Sequence, residues 1–192
     1  MAKKIFDIFF ALVGLIVFGV VILIFFIAVT ISTGENGMFT QLRIGQYGRA
    51  FKIYKLKSMK NIKGQKQITS LGRFLRKYKI DELPQFYNIL IGDMSFVGPR
   101  PDIAGYYDKL VGDDRELLKL KPGITGPASL KYAHEEVLLA SIDNPLQYND
   151  AVIYPDKIRI NRNYQKHQSF WLDIKLIVYT VLGKKPTEEY LQ

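Results

Sequence analysis

The longest apolar run of the chain lies close to its start. Residues 8–31 contain no charged side chain, and as an α-helix these 24 residues would measure about 36 Å, against a hydrocarbon core of about 30 Å. The run is too long for the apolar region of a signal peptide, and no small-x-small cleavage site stands out. The pattern therefore predicts a membrane-inserted helix over residues 1–33 and a second region over residues 34–192.

The charges that flank the apolar run leave its topology open. Lys3 and Lys4 precede the run and a strongly basic segment follows it, and the positive-inside rule would keep both flanks in the cytoplasm. A re-entrant helix that enters and returns on one side satisfies both flanks but needs a break, for which Gly14 and Gly19 are the only weak points. The alternative is a single span with a translocated two-lysine N-terminus.

Shorter patterns follow in the remainder of the chain. The alternating stretches 38–43 and 50–57 flank a Gly-containing loop, which predicts a β-hairpin, and residues 61–67 read as a basic loop. From Ser70 onward, apolar residues recur at helical spacing, and this predicts one buried helix face. That face comprises Leu71, Phe74, Leu75 and Tyr78.

Two further helices are predicted. Asp81-Glu82-Leu83-Pro84 is typical of a helix start, with Asp81 as the N-cap and proline in the first turn. This helix would run to about Ile91, and its predicted buried side chains are Leu83, Phe86, Tyr87 and Leu90. Residues 169–182 predict a final amphipathic helix, either packed into the core or lying at a membrane interface through Trp171.

The charge pattern singles out residues 36–80. They contain twelve Lys or Arg and no acid, although the net charge of the whole chain is only +9. Such a segment attracts phosphates and anionic lipid headgroups. It ends directly at Asp81-Glu82. Nearby cations and a helix N-terminus both favour the charged form of a carboxyl group, so both acids are expected to be ionised.

The scarcity of cysteine and histidine limits the kinds of metal site that the chain could form. The chain has no cysteine and two histidines, His134 and His167. Disulfides and thiolate zinc sites are thereby excluded, and a transition-metal site is disfavoured. A metal ion, if the chain uses one, would be a hard, oxygen-bound ion such as Mg²⁺.

Two loops rich in glycine and proline complete the candidate chemistry. Residues 92–101 place Arg100 between two prolines, where a guanidinium could bind phosphate in bidentate fashion. Residues 121–127 form a second rigid loop. Taken alone, each loop is more typical of an ordinary structural connection.

In combination, these motifs resemble a known family. The segments are KKIFD before the apolar run, FTQLRIG, FKIYKLKSM, IDELPQ, GDMSFVGPRP, KPGITGPASLKY and YPDKIRIN. Their order is similar to that of the bacterial sugar transferases, the small monotopic phosphoglycosyl transferases that start polyprenol-linked glycan assembly. The resemblance covers roughly residues 3–182, and IDELPQ with GDMSFVGPRP is its most specific part.

The resemblance implies a reaction and a fold. Family members move a sugar phosphate from a UDP-sugar to polyprenyl phosphate and release UMP, as the first membrane step of polysaccharide or glycoprotein glycan synthesis. The implied fold is α+β and mainly helical. It has an N-terminal membrane-inserted helix, a small β-hairpin and amphipathic interfacial helices around a compact catalytic domain over residues 34–192. The implied location is the bacterial inner membrane, with this domain on the cytoplasmic face.

The resemblance also implies roles for individual residues. Asp81 would attack the sugar-linked phosphorus and form an aspartyl-phosphosugar intermediate, while Glu82 would deprotonate or position the polyprenyl phosphate. Mg²⁺ near Asp81 would neutralise the diphosphate. The implied phosphate-binding residues are Lys55, Lys57, Arg76 and Arg100.

The chain departs from the family pattern at two places. Gly19-Val20 stands where many small members have Ser-Pro midway in the apolar helix, and this puts the re-entrant bend in doubt. Ala133 falls where an arginine is common, which weakens the transfer of a further phosphate or sugar contact.

A second hypothesis describes a protein that is not an enzyme. The twelve cations alone permit a non-catalytic, membrane-anchored protein that binds anionic lipid or another polyanion. A nucleic-acid partner is disfavoured by the membrane run. The sequence names neither the sugar nor the glycan pathway, and it leaves a homo-oligomer open.

Overall fold

The computed structural model describes residues 2–62, 64–184 and 186, so Lys63 of the basic segment lies outside the described residues. The fold is α+β and mainly helical, as the sequence indicates. The helices are α1 Ala2–Thr33, α2 Ser70–Lys77, α3 Gln85–Leu90, α4 Pro127–Lys131, α5 Glu135–Ala140, α6 Pro145–Tyr148, α7 Tyr154–His167 and α8 Phe170–Val181. The strands are β1 Met38–Ile44, β2 Ala50–Leu56, β3 Met59–Ile62, β4 Gln65–Ile68, β5 Ser95–Val97 and β6 Gly123–Thr125.

The contacts divide the chain into two compact units. One comprises Met1–Arg43 and Ala50–Met94, and the other comprises Ile44–Arg49 and Ser95–Gln192. Helix α1 therefore packs together with the strands and helices that follow it up to residue 94.

Helix α1 continues through both of its glycines and ends where Gly34 takes a positive φ of 70°, a common helix terminus. Among the described residues it is the one helix long and apolar enough to cross a membrane. Most of its surface is exposed, but a narrow stripe is buried. The buried residues of this stripe are Asp7, Ala11, Gly14, Val29 and Thr33.

The core of the first unit forms around the C-terminal half of α1. Val29, Leu56 and Leu75 are almost fully buried together, and they join α1, β2 and α2. Farther toward the N-terminus, a β-carbon on Gly14 would lie 2.8 Å from ring carbons of Phe86 in α3. Glycine thus lets the Phe86 ring approach α1 closely, and a larger residue here would displace that ring.

The β-hairpin predicted from alternation is confirmed as the two-stranded sheet β1–β2. The basic loop predicted over residues 61–67 is wrong. Strands β3 and β4 pair there as an antiparallel hairpin, with Met59 opposite Ile68 and Ile62 opposite Gln65. The strand residues on both sides of this hairpin tip are exposed, so no alternation of buried and exposed positions marks it in the sequence.

The second unit is built on the parallel pair β5–β6 and on helices α4 to α8. One apolar cluster contains Val97, Leu130, Tyr164 and Leu176, and it joins β5 to α4, α7 and α8. The final helix is confirmed, and Ser169 caps it by accepting a hydrogen bond from the Leu172 amide. Trp171 is 77% exposed, so this side chain does not pack into the core.

Asp156 on α7 forms a polar cluster with neighbouring helices. It accepts hydrogen bonds from three side chains, which are those of Lys131, Tyr132 and Arg159. Burial alone would raise the pKa of Asp156, but these hydrogen bonds outweigh it and lower the pKa to about 2. The cluster ties α7 to α4.

Candidate active site

The acidic pair lies in a 3₁₀ turn that connects α2 to α3. The turn spans Ile80–Glu82 and follows Lys79, which adopts the left-handed conformation with a φ of 58°. Asp81 is 7% exposed and Glu82 is 8% exposed. Because ionised side chains are costly to bury without partners, two adjacent buried acids require specific compensation.

The turn corrects two sequence predictions. Asp81 is not an N-cap: it lies inside the 3₁₀ turn, and Pro84 stands at the N-cap position of α3 without a side-chain hydrogen bond. The buried face of α3 also differs from the predicted one. Tyr87 is 45% exposed, whereas Gln85, Asn88 and Ile89 are buried.

Glu82 is compensated by a lysine from the neighbouring strand. Lys55 lies near the end of β2, and its Nζ is 2.8 Å from Glu82 Oε1. The side chains are 18% and 9% exposed, respectively, so water screens this pair only weakly. Lys55 therefore reaches the acidic pair and holds Glu82 in place, while a phosphate-binding role for it stays a prediction.

Asp81 is compensated less completely than Glu82. Its Oδ1 is buried, and among the described residues it has no hydrogen-bond partner. Burial raises the pKa of Asp81 and the charge of Glu82 raises it further, while Lys55, Lys79 and Arg76 act in the opposite direction without outweighing them. The sequence had suggested that cations dominate here, and the direction of the shift is the reverse. Asp81 thus presents a buried carboxylate oxygen that a ligand could engage.

Arg76 is held beside the pair by the packing of α2 against the strands. Its Nε donates a hydrogen bond of 2.9 Å to Ser58 Oγ, and its charge acts on Asp81. The close approach depends on Gly72, because a β-carbon there would lie 1.9 Å from the Ser58 carbonyl oxygen. The structure therefore brings Arg76, Lys55, Asp81 and Glu82 together.

Lys57, which follows β2, has a different partner. Its Nζ is 2.8 Å from Glu35 Oε2, just beyond the end of α1, and this carboxylate is 45% exposed. The Lys57 amide also donates to the Gly37 carbonyl. Lys57 thus ties β2 to the chain that leaves α1, and a phosphate-binding role for it stays a prediction.

Sequence reasoning missed a buried asparagine that positions the site. Asn88 is fully buried. Its Nδ2 donates to the Lys52 carbonyl at 2.7 Å, and its Oδ1 accepts from the Tyr54 amide at 3.1 Å. Asn88 thereby clamps α3 to the strand that carries Lys55. Gln85 and Asn88 are three residues apart and therefore share one face of α3. An amphipathic interpretation assigns two polar residues to the solvent side, so it does not reveal that this face is buried.

Arg100 belongs to the second unit and is exposed, just after β5. The two Gly/Pro loops that the sequence shows separately meet there, because β5 and β6 pair in parallel. A β-carbon on Gly98 would lie 2.2 Å from the Lys121 carbonyl oxygen. The loops are therefore mutually packed, and contact of Arg100 with the same substrate as Asp81 stays a prediction.

A divalent cation fits this site only if the substrate phosphates and water provide part of its coordination. Among the described residues, no group of three or more His, Asp or Glu side chains could hold a metal ion. Mg²⁺, however, is commonly held by one or two carboxylates together with substrate phosphates and water. Asp81 Oδ1, which has no hydrogen-bond partner in the described part of the chain, is one hard oxygen of that kind.

The comparisons with known proteins all point to sugar transferases. The family model described as bacterial sugar transferase matches residues 1–184. Galactosyl transferase CpsE of Streptococcus agalactiae serotype III is 33% identical over 201 residues, covering 94% of this chain and 41% of that relative. The UDP-glucose:undecaprenyl-phosphate glucose-1-phosphate transferase of Xanthomonas campestris pv. campestris is 34% identical over 202 residues, covering 96% of this chain and 39% of that relative.

A relative of similar length also matches. The uncharacterized sugar transferase EpsL of Bacillus subtilis is 32% identical over 187 residues, which are 93% of this chain and 85% of that relative. The chain thus spans about two fifths of the length of the Streptococcus and Xanthomonas relatives and most of the length of EpsL.

Proposed function

Because the chain belongs to the bacterial sugar transferase family, we propose that it transfers a sugar phosphate from a UDP-sugar to polyprenyl phosphate and releases UMP. The observation that carries this proposal is the buried Asp81-Glu82 pair, in which Glu82 is bound by Lys55 and Asp81 Oδ1 has no partner among the described residues. The Xanthomonas relative is named for a reaction of this type with UDP-glucose.

The first half-reaction uses Asp81 as the nucleophile. Its carboxylate oxygen attacks the phosphorus that bears the sugar, an aspartyl–phosphorus bond forms, and the bond from that phosphorus to UMP breaks. UMP leaves with the electron pair. A carboxylate nucleophile divides one difficult displacement into two easier ones. Since burial and Glu82 raise the pKa of Asp81, its carboxylate is also less stabilised, and more basic, than that of a solvated aspartate.

The second half-reaction returns Asp81 to its starting state. A phosphate oxygen of polyprenyl phosphate attacks the same phosphorus, and the aspartyl–phosphorus bond breaks to yield a polyprenyl diphosphosugar. Glu82, held by Lys55 at 2.8 Å, is placed beside this centre to position the incoming phosphate or accept its proton. The mechanism predicts ping-pong kinetics.

Charge neutralisation comes from the basic side chains around the pair. Phosphoryl transfer depends mainly on positioning and on neutralising negative charge. Arg76, fixed by Ser58, supplies a cation beside Asp81, and Arg100 is proposed to contribute from the second unit. Asp81 would help to hold Mg²⁺, whose charge would add to this neutralisation.

We infer that α1 holds this unit at the cytoplasmic face of the bacterial inner membrane. Phe86 of α3 contacts α1 at Gly14 and lies 6.2 Å from the Phe18 ring, centroid to centroid. Both positions lie within the first half of the apolar run, residues 8–31.

A helix that crossed the bilayer perpendicularly would carry α3 into the hydrocarbon together with the strand to which Asn88 of α3 is hydrogen-bonded. The exposed charge of Lys52 on that strand would be costly there. Together with the basic flanks, this packing favours α1 lying within one leaflet over a perpendicular span. Such an arrangement needs no break in the helix, and α1 is continuous through Gly14 and Gly19.

The reaction is tested by incubating the purified full chain with polyprenyl phosphate, Mg²⁺ and a panel of UDP-sugars. We expect UMP release with at least one donor, and none from Asp81→Asn. If Asp81→Asn releases UMP at the rate of the parent, the covalent mechanism is wrong. If no donor is turned over by the parent, the non-catalytic, lipid-binding reading takes its place.

Accessibility of a tag at the N-terminus tests the topology, and exposure of that tag outside the cytoplasm would contradict it.

A further inference from the structure

A third polar side chain is buried next to the acidic pair, and the proposed reaction does not yet use it. Gln85, the first residue of α3, is 2% exposed, and its Nε2 has no hydrogen-bond partner in the described part of the chain. Burying an amide donor without a partner is costly, and such groups are rare in native proteins. The packing of α3 alone therefore does not explain why a glutamine occupies this position.

Gln85 lies one turn after Asp81 on a continuous helical path. Leu83 and Pro84 connect the 3₁₀ turn to α3, and both have helical dihedral angles, with φ of −55° and −60°. Residues four apart on such a path lie on the same side of it. The side chains of Asp81 and Gln85 are both buried, which agrees with a shared, inward orientation.

The neighbouring polar side chains on this side are already engaged by β2. Asn88, one turn after Gln85, binds two backbone groups of the strand through both atoms of its amide. Glu82 binds Lys55 near the end of the same strand. Gln85 lies between these two attachments, so its Nε2 is not needed to hold α3 against β2. The amide is thus fixed beside the acidic pair while its donor stays unengaged.

Two polar atoms of opposite kind therefore lie one turn apart. Asp81 Oδ1 is an acceptor and Gln85 Nε2 is a donor. Neither has a partner among the described residues, so the two atoms do not bond each other. A phosphoryl group is complementary to both, because its phosphorus is attacked by a carboxylate oxygen and its non-bridging oxygens accept hydrogen bonds.

We propose that Gln85 is a further catalytic residue, whose Nε2 donates a hydrogen bond to a non-bridging oxygen of the phosphoryl group that Asp81 takes up. The inference rests on the proposed function and adds a neutral, directional donor to the cations of the site. Rotation about the glutamine side-chain bonds presents the amide to the bound group. Gln85 neither gains nor loses a proton, and the bonds that form and break remain those between phosphorus, Asp81 and UMP.

The first test compares equilibrium binding of UDP and UMP to the purified full chain in detergent with Mg²⁺. The second phosphate of UDP corresponds to the phosphoryl group that bears the sugar in the donor, and UMP lacks it. Gln85→Met keeps the length of the side chain and removes the donor. It should weaken UDP binding by at least roughly 10-fold, because a hydrogen bond to a charged acceptor is a strong one. Binding of UMP should stay unchanged.

The second test separates a catalytic from a structural role. Gln85→Met replaces an unpartnered buried amide by an apolar group of similar shape, so the unfolding midpoint should stay the same or rise. The burst of UMP from a UDP-sugar that the parent turns over should slow on the order of 100-fold, as with the loss of a comparable donor in an oxyanion hole. A glutamine with only a structural role would instead lower the midpoint when replaced.

A second variant and a control complete the test. Gln85→Glu keeps an acceptor oxygen, but it replaces the donor by a negatively charged oxygen, so it should bind UDP more weakly than Gln85→Met does. The matched control is Ile89→Met, at another buried position of α3 that is 1% exposed. This volume-conserving change should alter neither UDP binding nor the burst.

The inference is overturned if Gln85→Met or Gln85→Glu binds UDP as tightly as the parent, or if UDP and UMP lose affinity equally. A fall in the unfolding midpoint of Gln85→Met as large as its loss of activity would also overturn it. A parent that binds UDP but releases no UMP contradicts the proposed reaction alone, and the UDP comparison still decides on Gln85. A parent that does not bind UDP overturns both.

Discussion

Replacing Lys55 by methionine tests the electrostatic core of the site. The change keeps most of the side-chain volume and removes the charge that lies 2.8 Å from Glu82 Oε1. At an effective dielectric constant of about 20, two unit charges at this separation attract each other by about 6 kcal/mol before desolvation is subtracted. Removing one partner of a buried pair typically costs about 3–5 kcal/mol, because the other charge remains buried. We therefore expect Lys55→Met to destabilise the protein by about 3 kcal/mol.

The chain offers a control with nearly identical geometry. Lys57 and Glu35 are also 2.8 Å apart, and both lysine side chains are 18% exposed. The pairs differ in the carboxylate, since Glu82 is 9% exposed and Glu35 is 45% exposed. Exposed pairs contribute little net stability, so Lys57→Met should destabilise the protein far less than Lys55→Met.

The assay is thermal or denaturant unfolding of the full chain in detergent, with a double-mutant cycle over Lys55→Met and Glu82→Gln. The double variant should be more stable than the sum of the single effects predicts, by about 2–3 kcal/mol, because it leaves no unpaired charge. Additive single effects, or equal losses from Lys55→Met and Lys57→Met, would refute the reasoning from burial.

Three further predictions concern packing, positioning and pH. Gly72→Ala should cost about 3 kcal/mol or more in unfolding experiments, since its β-carbon would meet the Ser58 carbonyl at 1.9 Å, whereas Gly19→Ala, with nothing within 4 Å, should be tolerated. Asn88→Ala should cost about 3 kcal/mol and lower UMP release, because two backbone groups of β2 lose their partner; unchanged stability would contradict the clamp. The depressed pKa of Asp156, about 2, contributes stability that is complete above the unfolded pKa of about 4 and is lost as the pH falls toward 2. The stability difference between the parent and Asp156→Asn should therefore shrink over that range, and a constant difference would argue against the cluster.

Several elements could be predicted because their signals are local. Residues 8–31 predict a helix from uninterrupted apolarity, and α1 covers them. Alternation and turn residues likewise predict β1 and β2, and the pattern of residues 169–182 predicts α8. The acidic pair stood out because it ends an acid-free stretch, which requires no knowledge of tertiary contacts.

Other features could not be predicted because they depend on what packs against a helix. Phe74 and Tyr78 share helical spacing with Leu75, but α2 lies on the strands through Gly72, and this rotation leaves both rings outside. On α3, the polar Gln85 and Asn88 are buried instead of Tyr87. A polar side chain is placed in the interior when a strand offers it backbone groups to bind, and a one-dimensional pattern contains no record of those groups.

Hydropathy, charge and residue type are properties of the chain, so the apolar helix, the basic segment and the two acids that end it are visible in the sequence. Packing decided which lysine meets which acid. Lys55 and Lys57 are two residues apart, yet one binds the buried Glu82 and the other the exposed Glu35. It also decided the direction in which the pKa of Asp81 shifts. Neither result can be taken from the sequence, because electrostatic energies depend on burial and on distances of a few ångströms. Both quantities are set by packing between segments far apart in the chain.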